Sequence, residues 1–269
     1  WPGSGTGGQM KRVLVILSWL FAFMPVWGPV KAQEAAEPIL RMDLEKDAAI
    51  PGQPIMLRLT VLVPTWMPKP PVYPSFEIPN VIVRLPSRAS LPTSERVGGD
   101  TWSGIVRSYR FYPMTVGRFK IPAQTIQLTY ADPDTRQPIV RDVKTEPIVF
   151  EGRAPEGAEV LTPFIAADAL MLEQTIAGEP GDMEPGGAVT RTITARVEGV
   201  SPIFLPPMLH TERQDGLSAY PIAPVVSETD NGGALSGTRV ESVTYVPEFG
   251  GQFEAGPIHL EWYNLASNE

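Results

Sequence analysis

The sequence predicts an all-β chain of two tandem β-sandwich domains behind an N-terminal leader. Three observations carry that reading. First, the 269 residues include 30 prolines and 24 glycines, a fifth of the chain. Each interior proline removes a helical donor and clashes with the preceding turn, which disfavours bundles and solenoids. Hydrophobic residues at 43% and aromatics at 9% supply a core and argue against disorder. Second, Pro51-Gly52 recurs as Pro185-Gly186, and the same offset of 134 carries Pro113 to Pro247, Gly117 to Gly251 and Phe119 to Phe253. A period that long means tandem domains, because solenoid units run about 20–50 residues. Third, Ile55, Leu57, Leu59, Val61 and Val63 alternate with Met56, Arg58, Thr60 and Leu62, the period of a strand with one buried face.

The elements follow in chain order. Residues 1–9 precede Met10 and read as tag, linker or upstream sequence. Residues 10–32 have the order of a secretory signal peptide: Lys11-Arg12, an apolar run over 13–27, then small residues at Val30 and Ala32. The run is shorter than the roughly twenty residues a spanning helix needs. Cleavage after Ala32 is the expected outcome and an uncleaved anchor the alternative. Cleavage removes Lys11, Arg12 and Lys31 and no acid, leaving 19 basic against 30 acidic residues, a net of −11. That charge disfavours nucleic acid and anionic lipid as default partners. With no cysteine in the chain, disulfides, thiolate metal sites, thiol catalysis and a cysteine-linked lipid anchor all drop out. An exported protein without cysteine suits the bacterial envelope, where disulfides are optional.

The first domain is expected over 37–150, with strands at 38–45, 55–63, 79–85, 104–112, 118–121, 124–130 and 143–150. Gly98-Gly99-Asp100, Asp132-Pro133-Asp134 and Asn231-Gly232-Gly233 mark turns. A short, semi-rigid linker, EGRAPEGAEVLT, spans 151–162. The second domain spans 163–269. Val189, Ile193, Ala195 and Val197 repeat the first domain's alternating strand, against Thr190, Thr192, Thr194 and Arg196. Residues 164–176 have a helical aspect, with Thr162-Pro163 as cap and first turn. The repeat decides for a strand over their second half, matching Leu40 to Leu44. After a two-residue gap, Ile258, Leu260 and Trp262 match Ile126, Leu128 and Tyr130. Short strands at this spacing, about 110 residues per unit, fit immunoglobulin-like sandwiches. The antibody-type Cys-Trp-Cys core is absent.

Catalytic and metal chemistry find no support. The two histidines, His210 and His259, lie near no Gly-x-Ser-x-Gly elbow. His259 falls on the solvent side of an alternating strand, in the place of Gln127. Met208-x-His210 offers only two ligands for copper and reads equally well as an apolar strand entrance. Glu179, Asp182 and Glu184 are interrupted by prolines and read as a solvated turn rather than a calcium loop. No phosphate or dinucleotide glycine pattern follows a strand. The expectation is no enzyme, no cofactor and no metal.

Two features are candidates for partner binding. The stretch from Trp66 to Pro74 (WMPKPPVYP) is apolar and stiff, and Trp66 and Tyr73 are favoured interface anchors. The competing reading is a proline-rich edge or strand crossing with its aromatics tucked against the sandwich. Arg84, Arg88, Arg96, Arg107, Arg110 and Arg118 concentrate positive charge within 35 residues of an acidic chain, which would steer an acidic partner. Scattered surface salt bridges explain it nearly as well. The candidate partner surface is therefore Trp66, Tyr73, Arg84, Arg88, Arg107 and Arg110.

Pro51-Gly-Gln-Pro54 opening a strand, the closing run Tyr109-Arg-Phe-Tyr-Pro-Met-Thr-Val-Gly-Arg-Phe-Lys-Ile-Pro122, and the second-domain runs Tyr245–Gly250 and Pro257–Tyr263 follow one another behind a signal peptide. In that order they resemble the BatD family of bacterial oxygen-tolerance (aerotolerance) proteins, over nearly all of residues 10–269. The resemblance implies tandem immunoglobulin-like domains facing the periplasm, or the periplasmic face of the inner membrane, with no known catalytic residues. It also implies envelope partners, among them von Willebrand factor A-domain membrane proteins of the same gene cluster, beside a MoxR-type ATPase. Family members usually continue into a transmembrane helix, which is not present before Glu269. Membrane association would then run through such a missing helix or an uncleaved leader. The function expected is an interaction module or adaptor of an aerotolerance or stress complex. The alternative is a periplasmic chaperone-like or ligand-binding sandwich that offers a sheet edge to client strands.

Overall fold

The computed structural model describes Gly3, residues 36–211 and residues 213–269. The signal peptide expected over 10–32 lies outside the described residues. The described chain is all-β, with one short 3-10 turn at Pro202–Phe204 and no α-helix. Residues 37–269 form one compact unit with two main hydrophobic cores.

The first core is built from β1 (Ile39–Leu44), β2 (Ala48–Ala49), β3 (Ile55–Val63), β4 (Val81–Arg84), β5 (Ser90–Val97), β6 (Asp100–Pro113), β7 (Gly117–Ile121), β8 (Thr125–Ala131), β9 (Pro138–Lys144) and β10 (Ile148–Gly152). One antiparallel layer runs β1-β3-β6-β4, with β5 paired to the front half of β6 and β4 to its end. Facing it are the β2-β10-β7 sheet and the β8-β9 hairpin. The odd-numbered residues of β3 are fully buried and pack with Phe111, Phe119, Ile121, Ile126, Leu128, Tyr130 and Phe150. Each such side chain contributes about 2 kcal/mol of burial. Leu62, on the opposite face of β3, is also buried. Its register partner is Gly104, where an added Cβ would stand 2.5 Å from the Leu62 side chain.

The second core is built from β11 (Ala166–Ala167), β12 (Ala169–Ala177), β13 (Val189–Glu198), β14 (Leu217–Asn231), β15 (Ala234–Pro247) and β16 (Tyr263–Asn264). Its sheet runs β12-β13-β15-β14, with β11 and β16 as a short parallel pair. β12 is paired with β13 over its whole length, so the repeat predicts this segment better than its helical aspect does. Ile193, Ala195 and Val197 face Val200, Leu205 and Met208, with Ile258, Leu260 and Trp262 packed at the margin.

The repeat is visible in hydrogen bonds. Gly52 N–H donates to Pro113 at 2.8 Å and Gly186 N–H to Pro247 at 2.8 Å, while Gln53 bonds Ile50 and Gly187 bonds Glu184, each at 2.9 Å. Gly52 and Gly186 have φ of +88° and +82°, a conformation only glycine adopts without strain. Gly98-Gly99 and Gly232-Gly233 close equivalent two-residue hairpins with φ positive at both positions, as a type I′ turn requires.

Four segments depart from the sequence expectation. The strand expected over 143–150 is two strands, β9 and β10, on different neighbours. β5 was not expected. Its alternation is polar and it carries Pro92, which is tolerated because β5 pairs on one side only. Residues 251–262, the counterparts of β7 and β8, form no strand. β8 is held along its length by β9, whereas residues 257–262 pair with no strand among the described residues. The alternation itself persists: Ile258, Leu260 and Trp262 are half-buried, and His259 and Glu261 are exposed. Within the expected linker, Glu151 and Gly152 belong to β10, and Ala158 and Leu161 join Ile50, Phe164, Ala166, Tyr263 and Leu265 in a third small cluster.

Candidate interaction surface

The proline-rich strap leaves β3 and crosses to the other layer of the first core. Ala131 N–H donates to the Trp66 carbonyl at 3.0 Å, and Val72 exchanges backbone bonds with Gln127 at 2.9 and 3.2 Å. Proline cannot join a ladder as a donor, so these strap-to-β8 backbone bonds run through non-proline positions. Trp66 stays 45% exposed, with the Arg136 guanidinium 5.4 Å from its ring centroid. Tyr73 turns inward against the core.

Arg107 holds the inner end of the strap. Its Cζ lies 4.9 Å from the Tyr73 ring centroid and 5.5 Å from that of Tyr109. It donates from Nε to the Tyr109 hydroxyl at 3.3 Å and from Nη1 to Ser90 at 2.9 Å. The Tyr109 hydroxyl donates to the Pro74 carbonyl at 3.2 Å, and Phe76 meets the Tyr109 ring edge-on at 4.9 Å. Burial, reinforced by Tyr109, pushes the Tyr73 phenol up to about 12 despite Arg107. Burial also raises Tyr109, though the Arg107 bond opposes it.

Arg84 and Arg110 have a different place. They are register partners across β4 and β6, and like charges opposite one another are destabilising unless answered. Both are answered from β14. Arg84 forks onto Glu228, with Nη2 at 3.1 Å from Oε2 and Nη1 bonded to Oε1. Arg110 donates to Asp230 at 2.9 Å, and Asp230 also accepts the Gly233 N–H at 2.6 Å. Burial pushes the Glu228 carboxyl up, but the bonds from Arg84 and Ser201 outweigh it and hold it below its ordinary value. Beside this double ion pair, the Gln53 amide donates to the Gly199 carbonyl at 2.7 Å. Gly52 faces Val200 so closely that an added Cβ would stand 2.7 Å from its methyl. The Pro-Gly turn and the β4–β6 edge of the first half thus hold the hairpin tip and the 199–201 loop of the second.

Of the six surface candidates, Arg84 and Arg110 are therefore engaged within the chain, and Tyr73 and Arg107 form an internal stack. Trp66 and Arg88 remain open to solvent. The residues that answer Arg84, Arg110 and the Gly52 turn, namely Glu228, Asp230, Ser201 and Val200, carry no local sequence signal. Nor does Glu241, 5% exposed on the inward face of β15. Burial pushes its carboxyl up. That is outweighed by the Leu209 and Met208 N–H groups, each 2.9 Å from Oε2, and by Arg239 Nε, 2.6 Å from Oε1, so the group sits below its ordinary value. It fixes the loop that carries Met208-x-His210. Met208 is buried in the core and His210 is exposed, so the two do not converge. Among the described residues no three His, Asp or Glu side chains gather as a ligand set, and no helix is long and apolar enough to cross a membrane.

Comparison with family models, with curated proteins and with solved structures finds no match to the chain.

Proposed function

We propose that the chain is a non-catalytic envelope protein, two immunoglobulin-like sandwiches joined into one arm that acts as an interaction module or adaptor of a membrane-associated aerotolerance or stress complex. The observation that carries this reading is the joint itself. Two ion pairs, a side-chain-to-backbone bond and a glycine fitted against Val200 fix one half on the other. A fixed joint holds surfaces on both halves in one geometry and lowers the ordering cost of binding a large partner. Trp66 on the stiff strap is the favoured anchor. The periplasmic address rests on the leader, and the partner class on the resemblance to the BatD family. Pull-down from envelope extracts with the full chain tests it. Recovery of A-domain membrane proteins, lost in Trp66→Ala, is the expected result.

A second reading, a chaperone-like protein that takes client strands, is favoured by β12. This nine-residue edge has no proline or lysine and exposes Met171 and Ile176, an open template for strand addition. Recovery of many unfolded clients in the same pull-down would favour this reading over the adaptor.

A further inference from the structure

We infer that the joint inside the chain is half of a docking scheme whose other half is open, and that its occupant is a second copy of this chain joined head to tail. The repeat lets positions at the joint be compared at the offset of 134: the Gly52 turn keeps its counterpart, while Arg84, Arg110 and Gln53 fall on Ser218, Thr244 and Gly187. The acceptor on the first half is the Gly52 turn beside the end of β6. Its counterpart on the second half is the Gly186 turn beside the end of β15, with the same hydrogen bonds and the same positive φ. Gly52 is filled by Val200, whereas nothing among the described residues lies within 4 Å of a Cβ added at Gly186. On the adjoining strand β14, Tyr220 and Ile222 are 58% and 55% exposed.

The donor on the second half is Val200 with the hairpin tip that carries Asp230. By the same offset, Val200 falls on Trp66 and Asp230 on Arg96. Trp66 is the half-exposed indole of the strap, and Arg96 is exposed at the free Gly98-Gly99 hairpin, with no ion pair among the described residues. The chain thus presents an unfilled acceptor at one end and an unused donor at the other.

Charge favours their meeting. Inside the chain a basic acceptor (Arg84, Arg110) takes an acidic donor (Glu228, Asp230). At the open ends the counterparts of Arg84 and Arg110 are the neutral Ser218 and Thr244; the charge beside the open turn is that of exposed Glu184 and Glu248, opposite in sign to Arg96 on the donor tip. This difference in charge keeps each donor from the wrong acceptor. A contact between unlike patches related by translation is heterologous and propagates unless the rotation closes a ring.

Sedimentation velocity on the full chain over a hundredfold concentration range tests this. The expected result is association that grows with concentration and weakens with added salt. Arg96→Glu should weaken it at least tenfold, as should Glu184→Arg with Glu248→Arg, while the thermal midpoint of each variant stays within a few degrees because all three side chains are exposed. Mixing the two variant chains should restore association. Trp66→Ala should weaken it as well. A monomer throughout the range, or association unaffected by Arg96→Glu, overturns the inference.

Discussion

Replacing Glu241 by glutamine removes one charge and leaves the shape of the second core intact. In the native chain three donors converge on the carboxylate: two backbone N–H groups on Oε2 and the Arg239 Nε on Oε1. Glutamine can accept from only one side. Its amide N–H groups then meet either the Met208 and Leu209 donors or the guanidinium. The Arg239 side chain is 13% exposed and has little water to turn to. Removing one partner of a buried ion pair costs about 3–5 kcal/mol, because the remaining charge is stranded. With part of the hydrogen bonding retained, about 3 kcal/mol is expected for Glu241→Gln. At an m-value of about 1–3 kcal/mol/M, the urea midpoint should fall by about 1–3 M. Arg239→Met in the same chain removes the stranded cation, so the double variant should recover at least a third of the loss. A loss below about 1 kcal/mol, or a double variant no better than Glu241→Gln alone, would refute the argument. The pH dependence has a definite sign. The carboxyl is held below its unfolded value of about 4.5, so its stabilisation is complete above that pH and is lost as pH falls through the lower folded value.

The remaining predictions concern the joint and the aromatic stack. Gly52→Ala and Gly186→Ala both place alanine in the left-handed region, which costs about 1–2 kcal/mol. Only the first also drives a methyl into Val200. Gly52→Ala should therefore lower the thermal midpoint clearly more than Gly186→Ala, and equal shifts would mean that the turn does not bear on Val200. Asp230→Ala strands Arg110, whose side chain is 8% exposed, and should cost about 1–3 kcal/mol. It should also speed proteolysis within residues 153–162, and unchanged proteolysis would show that the ion pair does not hold the halves. The Tyr73 hydroxyl is buried with no hydrogen-bond partner among the described residues, so Tyr73→Phe should leave stability unchanged or raise it by up to about 1 kcal/mol. Its phenol is raised from 10.0 to about 12. The neutral form is favoured by folding, so this contribution is complete below pH 10 and is lost as pH rises from 10 to 12. Ultraviolet titration should show a late tyrosinate component that loses one tyrosine's amplitude in Tyr73→Phe, Tyr109 being raised by burial as well.

The parts of the fold legible in the sequence are those where a local rule and the repeat agree. Ile55 to Val63 has strand alternation, a Pro-Gly turn before it and a second copy, and it folds as read. The two Gly-Gly hairpins are legible because Gly-Gly is among the few pairs that take two successive positive φ angles cheaply. β5 is illegible for a physical reason. Half its residues face water and its register is imposed by β6, so neither apolar periodicity nor β-propensity marks it. Residues 251–262 fail the other way. They keep the alternation of a strand, but alternation specifies a face and not a ladder, and a ladder needs a neighbour.

The arginine cluster shows why a surface was harder to read than a fold. Composition showed positive charge in a negative chain, and the same charge serves a foreign partner or a distant segment of the same chain. What decides between them is sequence separation of 144 and 120 residues, the distances from Arg84 to Glu228 and from Arg110 to Asp230. No local pattern spans that. The repeat does supply a comparison, because a residue engaged between the two halves can be set against its counterpart at the same offset. Asp230 stands where the first copy has Arg96, and Arg110 where the second has Thr244. The copies keep their turns, hairpins and core alternation and diverge where one touches the other. Divergence at fixed offset, set against matching elsewhere, is therefore the signal of a joint in a tandem chain. It is the same signal that marks Trp66 and Arg96 as the free counterparts of Val200 and Asp230.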